Sequence, residues 1–140
     1  MFEAVHTEQV AAPPAEIWAL WEDPARWPEW NTQIEHAELD GELAVGATAV
    51  VKFRRGGRVR FEVVALEPER LLTDEARFPG ARLGREHRLE PRGEGSEITH
   101  RLYVSGPVSG FWSLMLGRRR MRGSVAEFAA RERALTEGST

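Results

Sequence analysis

Two histidines and an arginine are the residues with the clearest chemical potential in this sequence. His87 and His100 flank the turn-like stretch PRGEGS, and Arg85 stands two residues before His87. Imidazole titrates near neutral pH and acts as a general acid or base. A guanidinium group binds anions and polarises carbonyl oxygens. These residue types therefore suit proton transfer on a carbonyl-bearing substrate, with His87, His100 and Arg85 as the candidate catalytic residues.

The turns predict that these side chains meet on one sheet. If the Pro-Gly dipeptide after residue 78 centres a hairpin, Asp74 faces Arg85. If PRGEGS joins the next two strands, His87 faces His100. A buried polar group without a partner costs several kcal/mol, so this cluster needs either internal hydrogen bonds or a ligand. An ordinary cross-strand ion pair with satisfied histidines and a reactive site therefore both remain open.

The elements that must position this cluster follow from hydrophobic spacing and from turn residues. Residues 2–10 alternate as a strand does, residues 14–22 have helical spacing after two prolines, and residues 24–30 form a second short helical turn. Six further strands are predicted at residues 34–39, 48–55, 59–66, 71–78, 82–90 and 97–104. Residues 107–137 predict one long helix. The fold class is therefore α+β, with a curved antiparallel sheet of about seven strands.

The apolar face of such a sheet must be covered, and the last helix is the only element large enough to do so. A helix that stands off the sheet encloses a cavity, which is the default ligand site. The side chains predicted to line it are Phe53, Phe61, Val63, Leu72, Phe78, Phe111, Met115 and Phe128.

Three further residues are candidates for ligand contact. Glu8 shares a strand face with apolar residues, so it either faces the cavity with a raised pKa or lies in solvent. Arg118 falls on the apolar stripe of the long helix, where it either reaches a ligand or pairs with Glu8. Trp21 lies one helical turn beyond Trp18 and is predicted at the cavity mouth. The other tryptophans near the start of the chain are predicted to be structural wedges.

The stretch VAAPPAEIWALWEDPARWPEWN, with the strand meander and C-terminal helix after it, resembles the START-like superfamily. The similarity is to its bacterial polyketide cyclase/dehydrase branch, and Trp27 to Asn31 carry the sharpest part of it. This resemblance implies the helix-grip fold of the birch allergen, in which a long C-terminal helix covers a hydrophobic cavity. Such families include aromatase/cyclases and lipid or hormone carriers. They share no single catalytic motif, so the resemblance assigns no catalytic residue here.

Composition excludes several functional classes. The 140 residues fit one domain, 1–140, and the net charge of −3 argues against nucleic-acid binding. The sequence has no cysteine, no signal-like start and no apolar run long enough to cross a bilayer, so a cytoplasmic location is predicted. Two facing imidazoles are fewer than the three or four ligands of a zinc site, so no metal or cofactor is predicted.

Three functions remain after these exclusions. The first is binding of a hydrophobic or aromatic small molecule, lipid-like or polyketide-like, in the cavity. The second is a polyketide aromatase/cyclase or dehydratase that uses the histidines and arginines named above. The third is a partner-binding module with a filled core. A monomer and a homodimer are equally compatible with the sequence.

Overall fold

A seven-stranded antiparallel sheet forms the body of the protein. The computed structural model describes residues 1–137. The strands are β1 (Phe2–Val10), β2 (Ile34–Asp40), β3 (Thr48–Phe53), β4 (Arg58–Glu67), β5 (Leu71–Phe78), β6 (Ala81–Arg92) and β7 (Gly95–Ser105). Their order across the curved sheet is β1-β7-β6-β5-β4-β3-β2. The predicted helix-grip fold is confirmed, and consecutive strands pair through short turns except for β1, which closes onto β7.

Two short helices follow the first strand. Helix α1 (Pro14–Trp21) has proline in its first turn, where the missing N–H group is not needed. A 3-10 turn (Pro24–Arg26), capped by the Asp23 carboxylate, leads into helix α2 (Trp27–Trp30). Together these segments place four indoles close to the sheet.

The strand register agrees with the prediction from the turns. Asp74 pairs with Arg85 across β5 and β6, and His87 pairs with His100 across β6 and β7. All four side chains are buried. The polar cluster that the sequence predicted on the concave face is therefore present.

The predicted single C-terminal helix is wrong, because the chain forms two helices there. Helix α3 (Ser109–Leu116) ends at Gly117, and helix α4 (Arg118–Glu137) begins directly after it. Gly117 has a φ of 92° and a ψ of 94°, a backbone conformation that residues with a Cβ atom rarely adopt. This break turns α3 away from the axis of α4, so the two helices bury different faces.

Helix α4 covers the concave face and encloses the core. It packs on β1, β7 and α2, while α3 packs on β7, β6 and β1. The buried side chains of α4 recur along one face of the helix at Met121, Val125, Phe128 and Glu132. No helix within residues 1–137 is long and apolar enough to cross a membrane.

Candidate functional site

A cavity of about 250 Å³ opens between the sheet and helix α4. Its wall is largely apolar and includes three aromatic rings, those of Phe53, Phe78 and Phe128. Its polar side chains are Asn31, Gln33, Arg55, Arg85, Arg120 and Ser124. A mostly apolar wall with a few polar groups is typical of small-molecule sites.

Arg85 is the buried charge in this wall. Its Nε and Nη2 atoms donate to the two carboxylate oxygens of Asp74 at 2.8 and 2.5 Å. The two side chains are only 6% and 4% exposed. The guanidinium carbon lies 3.9 Å from the ring centre of Phe61 and 5.1 Å from that of Trp27. Asp74 and two aromatic faces therefore hold the arginine rigidly in place.

Arg85 keeps hydrogen-bonding capacity toward the cavity. A guanidinium group has five N–H donors, and Asp74 accepts from two of its nitrogens. Nη1 has no hydrogen-bond partner among residues 1–137, and no fully buried polar side-chain atom there is left unsatisfied. Nη1 of Arg85 is therefore accessible, and the cavity is the space that the residue lines.

The cavity mouth is positively charged. An outer recess of about 310 Å³ shares Gln33, Phe53, Arg55 and Arg120 with the cavity and adds Arg54. Within residues 1–137, no aspartate or glutamate borders either space. The arginines therefore produce a local positive potential in a protein whose net charge is −3.

A buried chain of hydrogen bonds lies beside Arg85 on the same sheet. His87 Nδ1 lies 2.7 Å from His100 Nδ1, and His100 Nε2 lies 2.5 Å from Glu132 Oε1. The other oxygen, Glu132 Oε2, accepts from Trp21 Nε1 at 2.5 Å. The indole N–H of Trp21 can only donate, so one oxygen of Glu132 is its acceptor, and the other oxygen pairs with His100. We call these four side chains the buried relay.

Aromatic rings seal the buried relay from solvent. The ring of Trp30 stacks on His100 at 17° between planes, and Phe128 packs edge-on against the same imidazole. Trp21 contacts both imidazoles. Glu132 is fully buried and His100 is 1% exposed. These groups therefore depend on one another for hydrogen bonds.

Burial lowers the pKa of His87 well below its usual value, and the charges of His100 and Arg85 act in the same direction. His87 is therefore neutral in the folded protein near pH 7. The unfolded chain takes up this proton near pH 6.5, whereas the folded protein does so only at lower pH. Protonation thus favours the unfolded state.

The free energy of unfolding is therefore expected to fall as the pH drops below about 6.5, by at most about 1.4 kcal/mol per pH unit from this residue. The His87→Asn variant should show a shallower slope, because asparagine does not titrate. The exposed His36 provides the matched control, since His36→Gln should keep the wild-type slope. Urea unfolding at several pH values measures all three proteins. Equal slopes for His87→Asn and the wild type would contradict this assignment.

The chain matches the model of a known protein family. The family model described as "Polyketide cyclase / dehydrase and lipid transport" matches residues 1–137. The chain belongs to this family. A search of curated proteins gives no significant match.

Solved structures similar to this family member share its fold at low sequence identity. Protein MLL2253 from Mesorhizobium loti is 20% identical with a TM-score of 0.75, and 99% of each chain is covered. Norcoclaurine synthase from Thalictrum flavum is 19% identical with a TM-score of 0.70, covering 96% of this chain and 92% of that one. Another structure of that synthase is a complex with dopamine and hydroxybenzaldehyde.

A protein from the dynemicin biosynthetic locus, DynU16, is 22% identical with a TM-score of 0.70. The match covers 97% of this family member but 48% of DynU16, so about half of that longer protein has no counterpart here.

The structure divides the predicted cavity residues into three groups. Phe53, Phe78 and Phe128 line the cavity, as predicted. Phe61, Val63 and Leu72 are core residues outside its lining, and Phe61 contacts Arg85. Phe111 and Met115 are 58% and 67% exposed, contrary to the prediction. The break at Gly117 explains their exposure, because it rotates α3 out of the stripe that α4 continues.

The predicted position of Trp21 at the cavity mouth is also wrong. Trp21 is fully buried, and its indole N–H is used by Glu132. The indoles of Trp27 and Trp30 donate to the carbonyls of Trp21 and Leu20, at 2.8 and 3.0 Å. The tryptophans therefore fasten α1 and α2 to each other and to the sheet.

Glu8 and Arg118 lie away from the cavity lining. Glu8 pairs with His6 at 2.9 Å and with Arg133 at 3.3 Å, so its predicted partner Arg118 is replaced by a residue about four turns further along α4. Arg118 donates to the Ser113 hydroxyl instead. Both are half-buried, and their polar contacts are to other side chains outside the cavity.

Sequence reasoning missed Glu132, which completes the buried relay, and the cavity arginines Arg55 and Arg120. The signal for Glu132 was available, because it continues the spacing of Met121, Val125 and Phe128 on the apolar face of α4. A carboxylate on such a stripe requires buried donors. Arg120 gave no such signal, since it belongs to a run of exposed arginines.

The two imidazoles do not border the cavity. Of the three predicted catalytic residues, Arg85 is the one that lines it. Within residues 1–137, no three or more His, Asp or Glu side chains are arranged to hold a metal ion. The chemistry available at the cavity wall is therefore hydrogen bonding and positive charge.

Proposed function

We propose that this family member binds a small, largely aromatic molecule that carries a carbonyl or anionic oxygen. The observation that carries the proposal is Arg85, a buried arginine in the wall of a largely apolar cavity. Aromatic rings on the wall contact the body of the ligand, while the free donors of Arg85 bind its oxygen. Because Asp74 and the rings already hold the guanidinium, little ordering is needed when the ligand binds.

Two further observations support this proposal. No carboxylate lines the cavity or its outer recess within the described residues, so an anionic ligand meets no repulsion there. The similar norcoclaurine synthase has been solved with two small aromatic molecules, which supports aromatic ligands for a fold of this kind. A filled core, the third function considered from the sequence, is disfavoured by the cavity itself.

Two fluorescent probes with one scaffold test this function. N-phenyl-1-naphthylamine is neutral, and 8-anilinonaphthalene-1-sulfonate adds an anionic group to the same rings. Both should bind and increase their emission, and the sulfonate should bind about tenfold more tightly because it gains a charge-assisted hydrogen bond. Leu83 lines the cavity, so the Leu83→Trp variant should fill it and lose both probes.

The control for Leu83→Trp is Val64→Trp, which adds the same ring at an exposed position of β4. It should bind both probes as the wild type does. If the folded Leu83→Trp variant still binds both, the dye site is elsewhere and the proposal is wrong.

The second candidate function is a cyclase or dehydratase. The observation that favours it is that His87 lies two residues from Arg85 on the same face of β6, within a relay that ends at Glu132. In this function Arg85 polarises the carbonyl of a substrate in the cavity, and proton transfer to the buried imidazole pair would require the wall between them to open. Faster exchange of the α-protons of acetophenone in D2O with the wild type than with His87→Asn would favour it over binding alone. Alanine substitutions are unsuitable here, because both rings are buried.

A further inference from the structure

Helix α3 carries an apolar face that nothing in the described chain covers. Phe111, Leu114 and Met115 have helical i, i+3 and i+4 spacing, and Val108 adjoins them just before the helix. Their exposed fractions are 58%, 67%, 67% and 43% in that order. Single exposed apolar residues are normal on a soluble protein, but three neighbours on one short helix, with a fourth just before it, form a patch that suggests a binding surface.

A run of arginines follows this face directly. Arg119, Arg120 and Arg122 are exposed at the start of α4, and within residues 1–137 none of them forms an ion pair. Arg118, beside them, donates to Ser113, and both Arg118 and Arg122 lie over the ring of Phe2. Cations at the N-terminus of a helix oppose its dipole, and adjacent arginines repel each other. The arrangement therefore does not serve the stability of α4.

The apolar face and the arginines lie at the mouth of the cavity. Leu116, the last residue of α3, and Arg120 both line the cavity. Trp112 stacks on Phe78, another lining residue, with ring centres 5.0 Å apart. A surface bound to α3 would therefore lie next to the opening.

We propose that this surface, defined by Phe111, Leu114, Met115, Arg119 and Arg122, binds an anionic lipid bilayer. The bilayer interface accepts exposed apolar side chains to a depth of about 5–10 Å, and anionic headgroups attract the adjacent arginines. Charge complementarity favours this occupant over a second copy, since a two-fold contact through the face would bring the arginines of both copies together. The inference does not depend on which molecule the cavity holds.

Vesicle sedimentation tests the proposal on the full chain. The protein should sediment with phosphatidylcholine vesicles that contain phosphatidylglycerol, should sediment much less with phosphatidylcholine alone, and should be released as the salt concentration rises. The Phe111→Ser/Leu114→Ser/Met115→Ser variant should bind at least about tenfold more weakly. Arg119→Gln/Arg122→Gln should lose about fivefold for each arginine. Arg120 is left unchanged because it lines the cavity.

Matched controls separate this surface from general effects. Val5→Ser/Val45→Ser removes exposed apolar side chains elsewhere. Arg70→Gln/Arg88→Gln removes the same charge beside the start of β5, at the end of that strand opposite Phe78. Both controls should bind vesicles as the wild type does, and all variants should keep the wild-type circular dichroism spectrum.

Several outcomes would overturn the proposal. These are no sedimentation with anionic vesicles, equal sedimentation with neutral ones, or equal losses in the control variants. Self-association of the wild type in analytical ultracentrifugation, abolished by the triple serine variant without any vesicle binding, would assign the surface to a second copy of this chain instead.

Discussion

Replacing Arg85 by methionine is expected to lower the free energy of unfolding by about 3–5 kcal/mol. The substitution leaves the Asp74 carboxylate buried, 4% exposed, without the two charge-assisted hydrogen bonds that it now accepts. Removing one partner of a buried ion pair costs more than removing both. The Asp74→Val/Arg85→Met double variant is therefore expected to recover most of the loss. Urea unfolding followed by circular dichroism measures this double-mutant cycle.

The control for this cycle uses the same substitution at a solvent-exposed ion pair on the same strand. Arg92 pairs with Glu90, and their side chains are 47% and 59% exposed. Arg92→Met should change the free energy of unfolding by less than about 1 kcal/mol. A small effect of Arg85→Met, comparable to that of Arg92→Met, would mean that the Asp74 site admits water and is not the dry pair described here.

The same double variant separates structure from function. If it folds with near-normal stability, the cavity should still take up the neutral naphthylamine probe. Its preference for the anionic probe should disappear, because no buried guanidinium remains on the wall. If the double variant still preferred the anionic probe, the anion would be bound by Arg55 and Arg120 at the mouth instead of by Arg85.

Glu132→Ala is expected to destabilise the fold by about 3–5 kcal/mol. It leaves the indole N–H of Trp21 and the His100 Nε2 atom without their acceptor, and each orphaned buried group costs about 1–3 kcal/mol. The empty volume adds to this cost. Urea unfolding gives the magnitude, and the NMR shift of the Trp21 indole proton should move toward the value of a group without a strong acceptor.

Two other substitutions on helix α4 make this prediction specific. Glu132→Gln keeps an acceptor for Trp21 and offers an N–H to His100 if that imidazole changes tautomer, so a smaller loss of about 1–2 kcal/mol is expected. Glu127→Ala removes an exposed carboxylate of α4 that accepts from Thr32, and should cost less than about 1 kcal/mol. Equal effects at positions 132 and 127 would show that the buried relay contributes nothing to stability.

Most of the fold was predictable because local signals agree with one another. Prolines and glycines mark the turns, two-residue alternation marks the strands, and the Pro-Gly turn sets the pairing of Asp74 with Arg85. The next turn likewise sets His87 opposite His100. These are contacts between neighbouring strands, whose geometry depends on a few residues of the connecting turn.

The site was less predictable because its remaining members come from distant parts of the chain. Glu132 reaches His100 only because α4 lies across the sheet with one particular face inward. The prediction that Phe111 and Met115 line the cavity fails because a single backbone conformation at Gly117 changes the direction of α3. Helical spacing identifies the apolar face of a helix, but it does not determine how that face is oriented relative to the sheet.

The sequence by itself determined the element order up to the end of β7, the register of the central strands and the presence of a polar cluster among apolar residues. Only the tertiary structure decided that Arg85 borders the cavity, while the histidines and Trp21 are sealed behind it by Glu132 and aromatic rings. The physical reason is that turn chemistry and alternation act over a few residues. The position of a helix over a sheet, and hence the boundary between cavity and core, depends on how side chains far apart in the chain pack together.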